Sequence, residues 1–167
     1  QGWQLVSLGE VCDQADTRDP RILPDSPFRY IDISSIDSTL KRIIEARIIV
    51  GNDAPSRARQ VVKTNDVLVA TTRPNLNAVA LISAELDGQI CSTGFCVLRP
   101  ATMLDPVFLF FWVQARDFVK VLSGEVSGLL YPAVTDNQVR SMYIPLPPLP
   151  EQKRIAAKVQ ILMGEVE

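Results

Sequence analysis

The residues best suited to chemistry are hydrogen-bond donors gathered on one loop. Ala70-Thr-Thr-Arg-Pro-Asn-Leu-Asn77 carries Thr71, Thr72, Arg73, Asn75 and Asn77. An arginine fork can hold guanine O6 and N7, and an asparagine amide can hold adenine N6 and N7. Threonine hydroxyls can reach phosphates or base edges. The same residues also make an ordinary polar turn, with Asn75 and Asn77 suited to turn conformations. Pro55-Ser-Arg-Ala-Arg59 has the same two readings, either a basic contact loop using Arg57 and Arg59 or a solvated turn. Tyr131 lies between two candidate helices, where it either contacts a nucleic acid or covers the core.

Charge is unevenly spread. The chain of 167 residues has a net charge of −2. From Lys41 to Arg73, however, Lys41, Arg42, Arg47, Arg57, Arg59, Lys63 and Arg73 face Glu45, Asp53 and Asp66, a balance of +4. The first nineteen residues carry −3. A nearly neutral protein can therefore present a basic face that neutralises phosphates.

Several chemistries lack their residues. The chain contains no histidine, which removes Ser-His-Asp and Cys-His catalysis and every histidine metal site. Cys12, Cys91 and Cys96 form no CxxC pair, and unpaired thiols suit a reducing, cytoplasmic setting. No phosphate-cradling glycine loop is present, and no bound cofactor is expected. The Pro147-Pro148 pair is flanked by Leu146 and Leu149, which cannot hold an amino group. A carboxylate-dependent enzyme would have to work with scattered acids, so a non-catalytic protein is expected.

The elements that must position these residues read as α/β (α+β). Short strands are expected over Trp3–Leu8, Phe28–Ile33, Ile43–Val50, Val67–Thr72, Ala78–Ser83 and Phe95–Leu98, with loops at Asp53–Gln60 and Arg73–Asn77. Cys91-Ser-Thr-Gly94 reads as a turn. The last third changes period. Asp105 and Pro106 start a helix whose apolar positions run from Phe108 to Leu122, and Gly124 ends it. Thr135-Asp136 starts a short helix reaching Arg140, and Met142–Leu146 returns as extended chain. From Pro150 an amphipathic helix follows. Ile155, Val159, Leu162 and Val166 are spaced 4, 3 and 4, a coiled-coil seam. The seam reaches the last residues uncapped, which predicts either that this helix continues in a longer protein or that it is a frayed terminal helix packed on its own domain.

Tyr143-Ile-Pro-Leu-Pro-Pro-Leu-Pro-Glu-Gln-Lys-Arg-Ile155 resembles the signature of the DNA-specificity (S) subunit of type I restriction–modification systems. In that family a target-recognition domain ends in I-P-L-P-P-L-x-E-Q-x-x-I and leads into a long helix. Trp3–Val11 resembles the family's W-x-x-x-x-L-G-E-V opening, Tyr30-Ile-Asp-Ile-Ser34 its first core strand, and Ser92-Thr-Gly-Phe95 with Val97-Leu-Arg-Pro100 a later strand. Asn65-Asp-Val-Leu68 resembles the G-D-V-L strand entry, with Asn65 where glycine is usual. The resemblance spans nearly the whole chain. A full S subunit resembles two such units joined by two helices. This chain is therefore either one half of such a subunit or a half-size subunit that dimerises.

The resemblance implies a globular target-recognition domain at 1–148 with a mixed or mainly antiparallel sheet, followed at 149–167 by the start of a coiled-coil-type helix. It implies readout of one half of a bipartite double-stranded DNA target, with no catalysis by the chain itself. Methylation (M) and restriction (R) subunits would bring S-adenosylmethionine and ATP. With it, Arg57, Arg59, Lys63, Thr71, Thr72, Arg73, Asn75, Asn77 and Tyr131 become expected DNA contacts. Leu149, Glu151, Gln152, Ile155, Val159, Leu162 and Val166 become the expected surface for other subunits, a homodimer partner or a second recognition half. The competing reading is a protein-interaction adaptor that uses the helix alone.

Overall fold

The computed structural model describes residues 2–164. The strands are β1 (Gln4–Ser7), β2 (Cys12–Asp13), β3 (Asp16–Thr17), β4 (Pro27–Ile31), β5 (Ile36–Asp37), β6 (Arg42–Ile43), β7 (Arg47–Val50), β8 (Ala58–Val61), β9 (Val67–Ala70), β10 (Val79–Leu81), β11 (Ile90–Ser92), β12 (Phe95–Pro100) and β13 (Tyr143–Leu146). The helices are α1 (Leu8–Val11), α2 (Pro106–Trp112), α3 (Arg116–Leu122), α4 (Asp136–Arg140) and α5 (Leu149–Leu162). Among the described residues no helix is long and apolar enough to cross a membrane.

The architecture is mixed α/β. One sheet has the order β10-β9-β12-β2, antiparallel throughout. A second has the order β3-β8-β11-β4-β7 and is mixed, because β11 runs parallel to β4. Strand β9 explains how the layers stack. Its side chains alternate between faces. Val67 and Val69 pack toward the helices with Phe108, Leu109 and Phe118, whereas Leu68 and Ala70 pack with Ile31 and Cys91 of the second sheet. A strand covered on both faces reads as an uninterrupted apolar run. Each fully buried leucine or valine contributes about 1.5–3 kcal/mol.

Helix ends follow local chemistry. The Asp105 carboxylate accepts from the Phe108 N–H at 3.0 Å, and Pro106 fits the first turn. At α4, Thr135 Oγ1 accepts from the Gln138 N–H while Gln138 Oε1 accepts from the Thr135 N–H, a reciprocal capping box. Asn65 takes a left-handed φ of 74°, a conformation that glycine adopts freely and asparagine tolerates.

Four expected elements differ. The helix from Asp105 to Gly124 is two helices, broken at Gln114-Ala115, where Ala115 is extended. The break strands the Val113 carbonyl, which a continuous helix would satisfy, and Asn77 satisfies it instead. The expected strand Ile43–Val50 is split into β6 and β7, which join different sheets. The Asp53–Gln60 loop ends early, because β8 begins at Ala58 to pair with β11. Cys91 and Ser92 of the expected Cys91–Gly94 turn belong to β11. For β8 and β11 a pairing partner distant in sequence overrides the local signal.

Candidate nucleic-acid interface

The chain leaves β9 at Ala70 and enters a strongly tethered segment. The Thr71 N–H and Oγ1 both donate to the Gly94 carbonyl, each at 2.9 Å. On the other side the Val134 N–H donates to the Thr71 carbonyl at 2.8 Å, and the Arg73 N–H donates to the Pro132 carbonyl at 2.9 Å. Thr72 and Ala133 form an antiparallel bridge between them. The Thr93 N–H donates to the Arg57 carbonyl at 2.9 Å. Arg57, Thr71, Thr72, Arg73, Asn75 and Tyr131 thus belong to one connected edge of the molecule.

Arg73 and Asn77 flank a single turn, Pro74–Leu76, and both adopt left-handed backbone, with φ of 47° and 48°. For non-glycine residues this conformation costs about 1–2 kcal/mol, and least for asparagine. Asn77 is held there from two sides. Its carbonyl accepts from Lys41 Nζ at 2.8 Å, and its Nδ2 donates to the Val113 carbonyl at 2.9 Å. Partial burial lowers the Lys41 ammonium below the usual lysine range. The Asn77 side chain is buried and its amide donor occupied, so the structure makes it part of the loop's framework rather than its outer surface. Thr72, Arg73 and Asn75 are exposed, and Tyr131 is 38% exposed. Among the described residues the Arg73 guanidinium has no hydrogen-bonded or ionic partner.

Two expected contacts stand apart. Arg59 lies on β8, half-buried, with Nη1 donating to its neighbour's carbonyl at Ala58 and lying 3.5 Å from Asp19. Lys63 is exposed, but it precedes β9 whereas Thr71 follows it. The basic segment is therefore divided between the two ends of that strand.

Tyr131 arrives through a tight reversal. Gly124 has φ +80°, and a side chain there would collide with the Leu129 carbonyl. The Tyr131 N–H donates to the Ser123 carbonyl at 2.8 Å. Nothing in the spacing marks a polar notch nearby that includes Tyr30, Asp32, Ser34, Arg57 and Ser92. Tyr30-Ile-Asp-Ile-Ser34 reads in sequence only as a strand.

The expected subunit-docking residues divide as well. Gln152 is fully buried: its Oε1 accepts from the Asp105 N–H at 2.8 Å, and its Nε2 donates to Met103 and Pro147 carbonyls at 2.9 and 2.8 Å. It ties α5 to its own domain. Glu151 pairs with Arg154, which holds its carboxyl below the usual range. Leu149, Ile155 and Val159 are half-buried, and the latter two line a small hollow of about 160 Å³ with Phe108, Phe111 and Trp112 of α2. The first part of the seam thus packs on the chain's own helix, the nearest apolar surface. Leu162 is 74% exposed, beside exposed Ile161 and Met163. Val166 lies outside the described residues.

Comparison with known proteins gives a consistent picture. A family model described as "Type I restriction modification DNA specificity domain" matches residues 1–167. The chain is 25% identical to the Type I restriction enzyme HindI specificity subunit of Haemophilus influenzae, covering 99% of this chain and 36% of that protein. It is 28% identical over 112 residues to the EcoDI specificity subunit of Escherichia coli, covering 67% of this chain and 24% of the relative. The crystal structure of the HsdS subunit from Thermoanaerobacter tengcongensis matches with a TM-score of 0.90 and 50% identity, over 99% of this chain and 43% of that one. The chain thus spans well under half the length of these relatives. The match over its whole length makes the family plain: this chain belongs to the type I restriction modification DNA specificity domain family.

Proposed function

We propose that this chain is one target-recognition unit of a type I specificity subunit, reading one half of a bipartite duplex sequence and positioning adenine-methylating and restriction subunits that supply the chemistry. One observation carries the reading: in a chain that matches the specificity family throughout, a tethered edge presents Arg73 without a partner among the described residues, flanked by Thr72, Asn75 and Tyr131. Arg57 belongs to the same edge. In this reading Lys63 and Arg59 lie outside the base-reading group. Lys63 adds charge toward phosphates, and Asn77 and Thr71 hold the loop.

In this reading α5 (Leu149–Leu162) is the start of a coiled-coil-type connecting helix. Exposed Leu162, with Ile161 beside it, continues its seam toward a second helix or a partner subunit. The molecule works in the cytoplasm with its DNA and its partner subunits.

The test is selection from randomised duplex DNA by this chain with its methylation subunit, with the bound pool sequenced at two salt concentrations. A short enriched motif is the expected result. An inverted pair of motifs would indicate two copies joined through the helix. Salt-sensitive retention without a motif would reduce the role to phosphate contact. No retention by an intact complex would favour an adaptor.

A further inference from the structure

A hollow of about 330 Å³ opens beside the Thr71–Gly94 tether, lined by residues that include Tyr30, Asp32, Ser34, Arg57 and Ser92. Its floor is built, because Tyr30 and Ser92 are both almost completely buried. The Ser92 hydroxyl accepts from the Gly94 N–H at 2.9 Å. Ser92, Asp32 and Arg57 all lie close enough to the Tyr30 phenol to act on it electrostatically, although burial is the largest influence and raises it. The walls carry opposite kinds of group. Arg57 is exposed and has no side-chain partner among the described residues. Asp32 is half-buried, and the hydroxyls of Ser34 and Ser35 donate to its Oδ1. Its Oδ2 accepts no hydrogen bond among the described residues, and the Arg47 guanidinium stands 4.0 Å away.

A carboxylate on the wall disfavours phosphate. A guanidinium fork and a carboxylate oxygen that accepts no hydrogen bond, both lining one hollow, call for a ligand that presents acceptors on one side and a donor on the other. The major-groove edge of a G·C pair presents that order, with guanine N7 and O6 as acceptors and then the cytosine N4 amino group as donor. Resting on the DNA-reading function above, we propose that this notch reads one G·C base pair. Arg57 donates to guanine and Asp32 Oδ2 accepts from cytosine N4. This makes Asp32 a specificity-determining residue and sets Arg57 to a base rather than to the backbone.

The test repeats the selection with Arg57→Gln and Asp32→Asn in the assembled complex. Asparagine keeps an oxygen for the Ser34 and Ser35 hydroxyls, and thermal melting checks that each variant is folded. The wild-type motif should contain an obligatory G·C position. Both variants should lose discrimination at that same position, by roughly 5- to 150-fold, with the other positions unchanged. Should Asp32→Asn fail to fold, loss confined to one G·C position in Arg57→Gln, which alters an exposed side chain, supports the notch. A wild-type motif without a G·C position, an unchanged motif in both folded variants, effects on different positions, or an equal loss on every sequence would each overturn it. If the wild type enriches no motif at all, the DNA-reading function fails first, a result distinguishable from failure of the notch alone.

Discussion

Asn77 Nδ2 donates to the Val113 carbonyl at 2.9 Å, joining two segments 36 residues apart. The helix break at Gln114-Ala115 creates the need for this bond, and the left-handed turn at Asn77 supplies the donor. The loop that presents Arg73 is thereby fixed to the helical layer. Asn77→Ala leaves a buried carbonyl unsatisfied, which costs about 1–3 kcal/mol, and adds strain at a positive φ. Asn77→Gly relieves the strain but not the lost bond, so it should destabilise less than alanine. Urea unfolding of the three proteins checks that order, and alanine at wild-type stability would remove the bond's structural role.

Arg73 is the exposed cation of that loop. Arg73→Ala should weaken binding to the preferred duplex and relax one base position by about 1–3 kcal/mol if the contact is bidentate to guanine. Competition among duplexes changed one base pair at a time measures it. An equal loss on all of them, with the salt slope reduced by about one, would make Arg73 a phosphate contact. No loss would remove it from the interface.

Much of this arrangement is legible in sequence because some signals are local. Asp105-Pro106, Thr135-Asp136 and Gly124 mark helix ends by chemistry contained within a few residues, and the structure places the ends there. The apolar run Val67–Ala70 is a strand because both its faces are covered. What stays hidden depends on distant partners. Arg59 looks like a free loop cation until β8 pairs with β11 and Asp19 reaches it. Gln152 looks like a surface helix residue until the Asp105 N–H and the Met103 and Pro147 carbonyls converge on it. The polar notch brings together Asp32, Arg57 and Ser92, which no local pattern links.

Asp19 gives an acid-side prediction. Its hydrogen bonds from the Arg21 side chain, then the Arg21 backbone, lower its carboxyl from 3.8 to about 2, with Arg59 adding to the effect. A carboxyl depressed in the folded state contributes stability above its unfolded value and loses it as pH falls through the folded one. The stability difference between wild type and Asp19→Asn should therefore be constant above about pH 4 and shrink between 3.8 and about 2. Chemical unfolding across that range tests it, and a difference independent of pH would show that the ion pair is not coupled to folding.

The cysteines give the alkaline counterpart. All three are buried. Burial pushes the Cys12 thiol up to about 12 and raises Cys91 and Cys96 as well. The folded state then keeps protons that the unfolded chain releases near 9, so stability should decline as pH rises from 9 toward 12. At pH 8 a thiol reagent should label none of the three in the native protein and all three in denaturant. Rapid native labelling would contradict the burial.

In the proposed reading the terminal helix serves folding through one part and assembly through another. Gln152 and Ile155 serve the chain's own domain, one through three hydrogen bonds and the other by packing toward Phe108 and Phe111. Gln152→Ala removes all three bonds and exposes two carbonyls and an N–H to an apolar setting, so it should lower stability by about 1–3 kcal/mol. Leu162 is exposed and touches none of this. Leu162→Asp should leave the melting temperature nearly unchanged while preventing assembly with a helical partner, because a charge placed in an apolar seam must be desolvated. Thermal melting paired with co-purification of the methylation subunit distinguishes the two effects. Normal assembly of Leu162→Asp would move the docking surface off this helix, and a fall in its melting temperature would mean that the seam closes on the chain itself.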